Sequence, residues 1–136
     1  MWLIYQIFKQ VFYHNLSELC DYFESIDLLP EYYIVDWIMT LFSRNLNIDL
    51  TARIWDVFMI NGIKAIFQAA IVLLSHFEKK ILENDLEFDY ILKELKSLNE
   101  VIFDEDELMD SMKAVTFPEW IEEELEKLND EYIPIK

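Results

Sequence analysis

The sequence predicts an all-α fold, an irregular array of about seven to eight helices, from three observations. One Gly and three Pro in 136 residues leave little turn chemistry, which favours helices joined by short connections. A hydrophobic fraction of 54% and an aromatic fraction of 15%, with Trp at positions 2, 37, 55 and 120, are too rich in large apolar side chains for a disordered chain despite a net charge of −16. Third, apolar residues recur at three- and four-residue spacing along most of the chain, the period of helices with a buried face.

Ile4, Ile7, Phe8, Val11 and Phe12 form the stripe of a first helix over residues 2–13. Asn15 and Ser17 are candidate caps for a second, with Leu16, Leu19, Cys20, Phe23 and Ile26 or Asp27 inward. That helix must end before Pro30, since the residue before a proline is driven out of the α region. Pro30 suits the first turn of a third helix, predicted to run to about Arg44 with Ile34, Trp37, Ile38, Leu41 and Phe42 inward. Tyr33 and Met39 widen that face.

After a connection over 45–48, Asp49 is the expected N-cap of a fourth helix carrying Leu50, Ile54, Val57 and Phe58 inward. Gly62, the only glycine in the chain, falls just past Asn61, where a helix stops in a left-handed conformation that glycine tolerates best. A fifth helix is predicted over 63–82, with Ile63, Ile66, Phe67, Ala70, Leu73, Leu74, Phe77 and Ile81 on one face. Asn84 and Asp85 are expected to open a sixth, with Phe88, Ile91, Leu92 and Leu95 inward. Asp104 with Glu107, and Thr116 with Glu119, read as capping boxes. They would open a seventh helix (Leu108, Met112, Val115) and an eighth (Ile121, Leu125, Leu128), followed by a loose tail over 132–136. Residues 1–29 are thus a lead-in, 30–98 a core, and 99–136 acidic helices of the same unit.

The charge is concentrated at one end. Residues 1–82 carry nine acidic against six basic side chains, residues 83–136 eighteen against five. Such a surface repels phosphate backbones and anionic lipid, so nucleic-acid binding and direct membrane adhesion are not expected. The most apolar later run, 66–74, is far short of the roughly 20 residues that span a bilayer. A cytoplasmic protein is expected, since Cys20 has no partner for an internal disulfide.

No chemistry-bearing constellation stands out. His14 and His76 lie in different predicted helices without a second ligand at metal spacing. The acidic run 104–107 lacks the glycine and the closing glutamate of a calcium loop, and is better read as carboxylates gathered at a helix N-terminus. There is no Gly-rich phosphate loop and no Ser–His–Asp or Cys–His set. No catalytic, cofactor or metal residue is therefore expected. Arg53 and Asp56, three apart on one helix, can pair across a turn and are expected to act structurally.

The stretch 28–82 nevertheless has a recognisable order. Tyr33 to Ser43 contains a tryptophan helix with a Leu41-Phe42 pair, Arg53-Ile54-Trp55-Asp56 follows about ten residues later, and then come Gly62 and Ile66-Phe67 ahead of an Ala/Leu-rich run. This resembles the C-terminal half of a TBC domain, the helical domain of proteins that accelerate GTP hydrolysis on Rab-type small GTPases. The matched positions, Trp37, Phe42, Arg53, Trp55, Asp56, Gly62 and Phe67, are carried over as signature and scaffold positions only.

In that family the catalytic groups are an arginine finger in Ile-x-x-Asp-x-x-Arg and a glutamine finger in Tyr-x-Gln, both in the N-terminal half. Neither motif occurs here: Tyr5-Gln6 lacks the intervening residue and no arginine precedes Arg44. The resemblance implies a non-finger subdomain, inactive alone, whose partners are a Rab-family GTPase through the complete domain and the N-terminal half itself, with peripheral recruitment to membranes through the GTPase. The alternative is a stand-alone helical interaction module. A half-domain should also expose an apolar patch, expected at Trp2, Ile4, Tyr5 and Phe8 and capable of self-association.

Overall fold

The computed structural model describes residues 2–43, 46–98 and 104–132, which contain eight α-helices and no strand. They are α1 (Trp2–Asn15), α2 (Ser17–Ser25), α3 (Ile34–Met39), α4 (Ile48–Asn61), α5 (Ile63–Asn84), α6 (Phe88–Lys96), α7 (Glu105–Ala114) and α8 (Glu119–Tyr132), with a 3₁₀ turn at Pro30–Tyr32.

Helix α5 is the axis, meeting α1, α2, α3, α4, α7 and α8. The sequence predicts one buried face for it, but every residue from Ala65 to Leu74 is buried. Ala65, Ala69 and Ala70 make this possible, because short side chains let neighbours close in from several sides. Gln68 is the polar exception. It is buried with its Nε2 donating to the carbonyl of Met112 at 3.1 Å, which ties α7 to the axis.

Phe8 and Phe12 of α1 meet Phe67, Phe23 and Tyr33 at ring-centroid distances of 5.6–6.3 Å, so the lead-in helix belongs to the central aromatic core. The expected apolar patch is therefore not where the sequence places it: Ile4 and Phe8 are buried and Tyr5 is half-buried, while the side chain of Trp2 lies outside the described residues. Of the predicted inward residues of α7 and α8, Leu108, Met112, Ile121, Leu125 and Leu128 are buried, while Val115 is only half-buried, at the C-cap of α7.

The helix ends differ most from expectation. The single helix predicted from Pro30 to Arg44 is instead the 3₁₀ turn, the six-residue α3 and a tight turn, with Arg44 outside the described residues. Met39, expected to widen the inward face, is 69% exposed. Helix α4 is capped by Asn47, whose side chain accepts from the Leu50 N–H at 3.0 Å, leaving Asp49 in the first turn. Asn84 and Asp85 close α5 rather than opening α6.

Neither Asn15 nor Ser17 caps α2, whose N-cap is Leu16 without a side-chain bond. Asp104 does occupy the N-cap of α7, but its side chain makes no capping bond. Thr116 is bonded elsewhere, so neither capping box forms. Tyr132, expected to begin the loose tail, is the last residue of α8, and the rest of that tail, 133–136, lies outside the described residues.

These ends share one cause. With a single glycine available, the chain turns out of its helices on other residues: Asp27, Leu41, Phe42 and Asp85 all have positive φ, at 58°, 48°, 68° and 46°. At the end of α2, the Leu28 N–H bonds the Phe23 carbonyl and the Asp27 N–H that of Glu24, the paired bonds of a Schellman motif. The end of α3 repeats it, with Phe42 to Trp37 and Leu41 to Ile38. Gly62 alone follows the usual preference, closing α4 at φ 68° and ψ −143°, a region that side-chain-bearing residues avoid.

Candidate functional site

The residues singled out in the sequence converge, in part, on the turn between α3 and α4. Trp37 is fully buried on α3, its ring 5.2 Å from Tyr33 and 5.6 Å from Phe42. The contact with Phe42 is the apolar pair that accompanies a Schellman end, one residue inside the helix and one just beyond it. The indole N–H of Trp37 donates to the carbonyl of Leu95 at 3.0 Å, anchoring the last turn of α6 across 58 residues of sequence.

Phe42 is buried at positive φ, and its carbonyl accepts from the Leu46 N–H at 2.9 Å. The hydroxyl of Thr51 lies 3.5 Å from the same oxygen and 2.8 Å from the Asn47 carbonyl. Trp55 reaches the turn from α4, its indole N–H donating to the carbonyl of Leu41 at 2.7 Å while the residue as a whole stays 43% exposed. A left-handed Leu or Phe costs about 1–2 kcal/mol. Two in succession persist because Trp37, Thr51 and Trp55 hold the surrounding backbone.

Arg53 and Asp56 are not brought together. They form no ion pair among the described residues, and Arg53 Nε is buried without a hydrogen-bond partner. Gly62 sits at the far end of α4, and Phe67 lies in the core against Phe8.

Burial shifts two titratable groups of this core. Cys20 is buried, and burial, followed by the nearby Glu24 and Asp21 carboxylates, pushes its thiol up to about 11, so the nucleophilic thiolate is disfavoured. The buried Tyr33 hydroxyl has no hydrogen-bond partner and is pushed well above its usual value, mainly by burial. Among the described residues no group of three His, Cys, Asp or Glu side chains could hold a metal ion. No described helix is long and apolar enough to cross a membrane.

Two features have no signal in the local sequence. Asn15, at the end of α1, donates from Nδ2 to the carbonyls of Val11 and Thr116, both at 2.8 Å. Its Oδ1 accepts from the backbone N–H and hydroxyl of Thr116 at 3.0 and 3.2 Å, joining α1 to the α7–α8 connection. The second is an apolar strip on the outside of α4, where Ile48 and Met59 are each 82% exposed. A helical stripe shows which residues share a face, but a second apolar stripe on the same helix gives no indication of whether anything covers it.

The described residues thus form an all-helical scaffold knotted by two tryptophans. Residues 2–82 match the Rab-GTPase-TBC domain family, and the chain belongs to that family. The match takes in α1 and α2 as well as the stretch from 28 onward. TBC1 domain family member 12 of Rattus norvegicus is 39% identical over 98 residues, covering 72% of this chain and 14% of that protein. TBC1 domain family member 14 of Homo sapiens is 40% identical over 78 residues, 57% of this chain and 11% of that protein. Drainin of Dictyostelium discoideum is 30% identical over 94 residues, 69% of this chain and 21% of that protein. The chain therefore spans only a small part of the length of the relatives it matches.

Proposed function

We propose that this chain is the non-finger, C-terminal subdomain of a TBC-type activator of Rab-family GTPases, and that it does not accelerate GTP hydrolysis alone. One observation supports the reading: three of the signature positions, Trp37, Phe42 and Trp55, gather at the turn between α3 and α4, while the sequence contains neither finger motif. An arginine finger stabilises charge on the transferred phosphoryl group and contributes about 10³–10⁵ in rate, so a chain without one supplies support and part of a GTPase-facing surface. On this reading residues 1–29, 30–98 and 99–136 act as one unit, its partners are a finger-bearing N-terminal half and a Rab-family GTPase, and membranes are reached through that GTPase.

The test is single-turnover GTP hydrolysis on a panel of Rab-family GTPases. The 136-residue chain alone should leave each intrinsic rate unchanged, and strong acceleration by the chain alone overturns the proposal. A stand-alone interaction module is the second reading, favoured by the exposed apolar strip on α4. The coding sequence upstream of Met1 separates the two, since finger motifs encoded in frame there decide for the activator.

A further inference from the structure

Ile48, Ala52, Trp55 and Met59 lie along one line of α4, spaced by four, three and four residues, the spacing of a seam that meets another helix. All four are exposed. Beside them Ser43, Ile48, Thr51, Ala52 and Trp55 enclose a shallow notch of about 230 Å³, room for one inserted apolar side chain. Trp55 is held in place by its bond to the Leu41 carbonyl, so its exposed ring face is ordered before anything binds. Fixed, half-exposed tryptophans are the side chains that most often anchor protein interfaces, and prior ordering lowers the entropic cost of docking.

The flank of the strip specifies the occupant. Asp49 and Asp56 stand seven residues apart, about a quarter turn from the strip, both exposed and neither in an ion pair with a described residue. We propose that this face docks an amphipathic helix of a separate protein partner, with apolar residues on the strip and lysine or arginine at seven-residue spacing against Asp49 and Asp56. A second copy of the chain would bring like carboxylates to the seam and a net charge of −16 to the encounter. An anionic bilayer is disfavoured by the same repulsion. The proposal goes beyond the activator reading and involves no GTPase, so either can fail without the other.

The test uses the 136-residue chain and a fluorescein-labelled 18-residue helical peptide with leucines at four-three-four spacing and lysines along one flank, beside a twin with glutamates for lysines. Fluorescence anisotropy should show the lysine peptide binding at least about tenfold more tightly than its twin, with the difference shrinking as salt is raised. Met59→Glu should weaken the lysine peptide by about tenfold or more. The double change Asp49→Lys with Asp56→Lys should reverse the preference toward the glutamate peptide. All three side chains are exposed, and helical circular dichroism checks that the variants fold. Equal binding of the two peptides, or a preference that the charge reversal leaves intact, overturns the proposal. So does sedimentation of the unliganded chain as a dimer that Met59→Glu dissolves, because a second copy would then occupy the face.

Discussion

The indole N–H of Trp55 donates to the carbonyl of Leu41 at 2.7 Å, so an exposed residue of α4 holds the left-handed turn that ends α3. Trp37 makes the corresponding bond to the Leu95 carbonyl from a fully buried position. The same bond type in two environments gives a graded prediction. Trp55→Phe should destabilise by about 1 kcal/mol, because water can reach the freed Leu41 carbonyl. Trp37→Phe leaves a buried carbonyl unpaired and a void beside it, and should cost about 2–4 kcal/mol. Urea unfolding of both variants checks the order, and equal losses would contradict the assigned roles.

Asp27 occupies the left-handed position of the Schellman end of α2, at φ 58° and exposed. Asp27→Gly should relieve the backbone and remove a negative charge from the negative end of the helix dipole. Against the extra freedom glycine gives the unfolded chain, the net gain should be about 0.5 kcal/mol, read as a higher urea midpoint with an unchanged slope.

Those positive-φ ends mark the boundary of what the sequence discloses. The helices and their inward residues were legible because burial imposes a period, as Ile4, Ile7, Phe8, Val11 and Phe12 illustrate. Ends are legible when glycine or a capping side chain marks them, as Gly62 and Asn47 do at the two ends of α4. Leu41 and Phe42 look like a continuation of the helix because nothing in their side chains announces a left-handed backbone. What fixes them is the Trp55 indole, fourteen residues beyond Leu41, together with Trp37 and Thr51 against Phe42. The signature tryptophans could be picked out by family likeness, but their carbonyl partners could not, since Leu95 lies 58 residues beyond Trp37. Arg53 and Asp56 show the opposite failure. The spacing permits a pair that the structure does not form.

Asn15 and Thr116 join segments 101 residues apart through three hydrogen bonds. Helix α8 otherwise rests on Ile121, Leu125 and Leu128 and on the exposed Lys64–Glu122 bridge at 2.8 Å, a small contribution. Asn15→Ala should therefore lower global stability by only about 1 kcal/mol. Its clearer effect should be local: amide hydrogen exchange in α8 should quicken more than exchange in α5. Uniform acceleration across the chain would show that the bonds do not act as a separate clasp.

The Cys20 thiol is raised from its ordinary 9.0 to about 11 by burial and then by Glu24 and Asp21. The folded chain thus holds this proton more tightly than the unfolded chain. Stability should be complete below about pH 9 and fall as pH rises toward 11, with Tyr33 extending the loss in the same direction. Urea unfolding at pH 7 and pH 10.5 measures the fall. Cys20→Ala should make it shallower, and an identical fall in that variant would assign it to other groups.

Arg53 lies half-buried on α4, with its Nε out of water and unpartnered. If the guanidinium contributed to the stability of this chain, it would need an acceptor, and Asp56 does not provide one. Arg53→Met keeps most of the side-chain length and packing while removing the orphaned donor, so stability should stay within about 0.5 kcal/mol or rise. Thermal unfolding at neutral pH reads this directly. A loss of about 2 kcal/mol or more would show that Arg53 packs or pairs in this chain in a way the observed geometry does not provide.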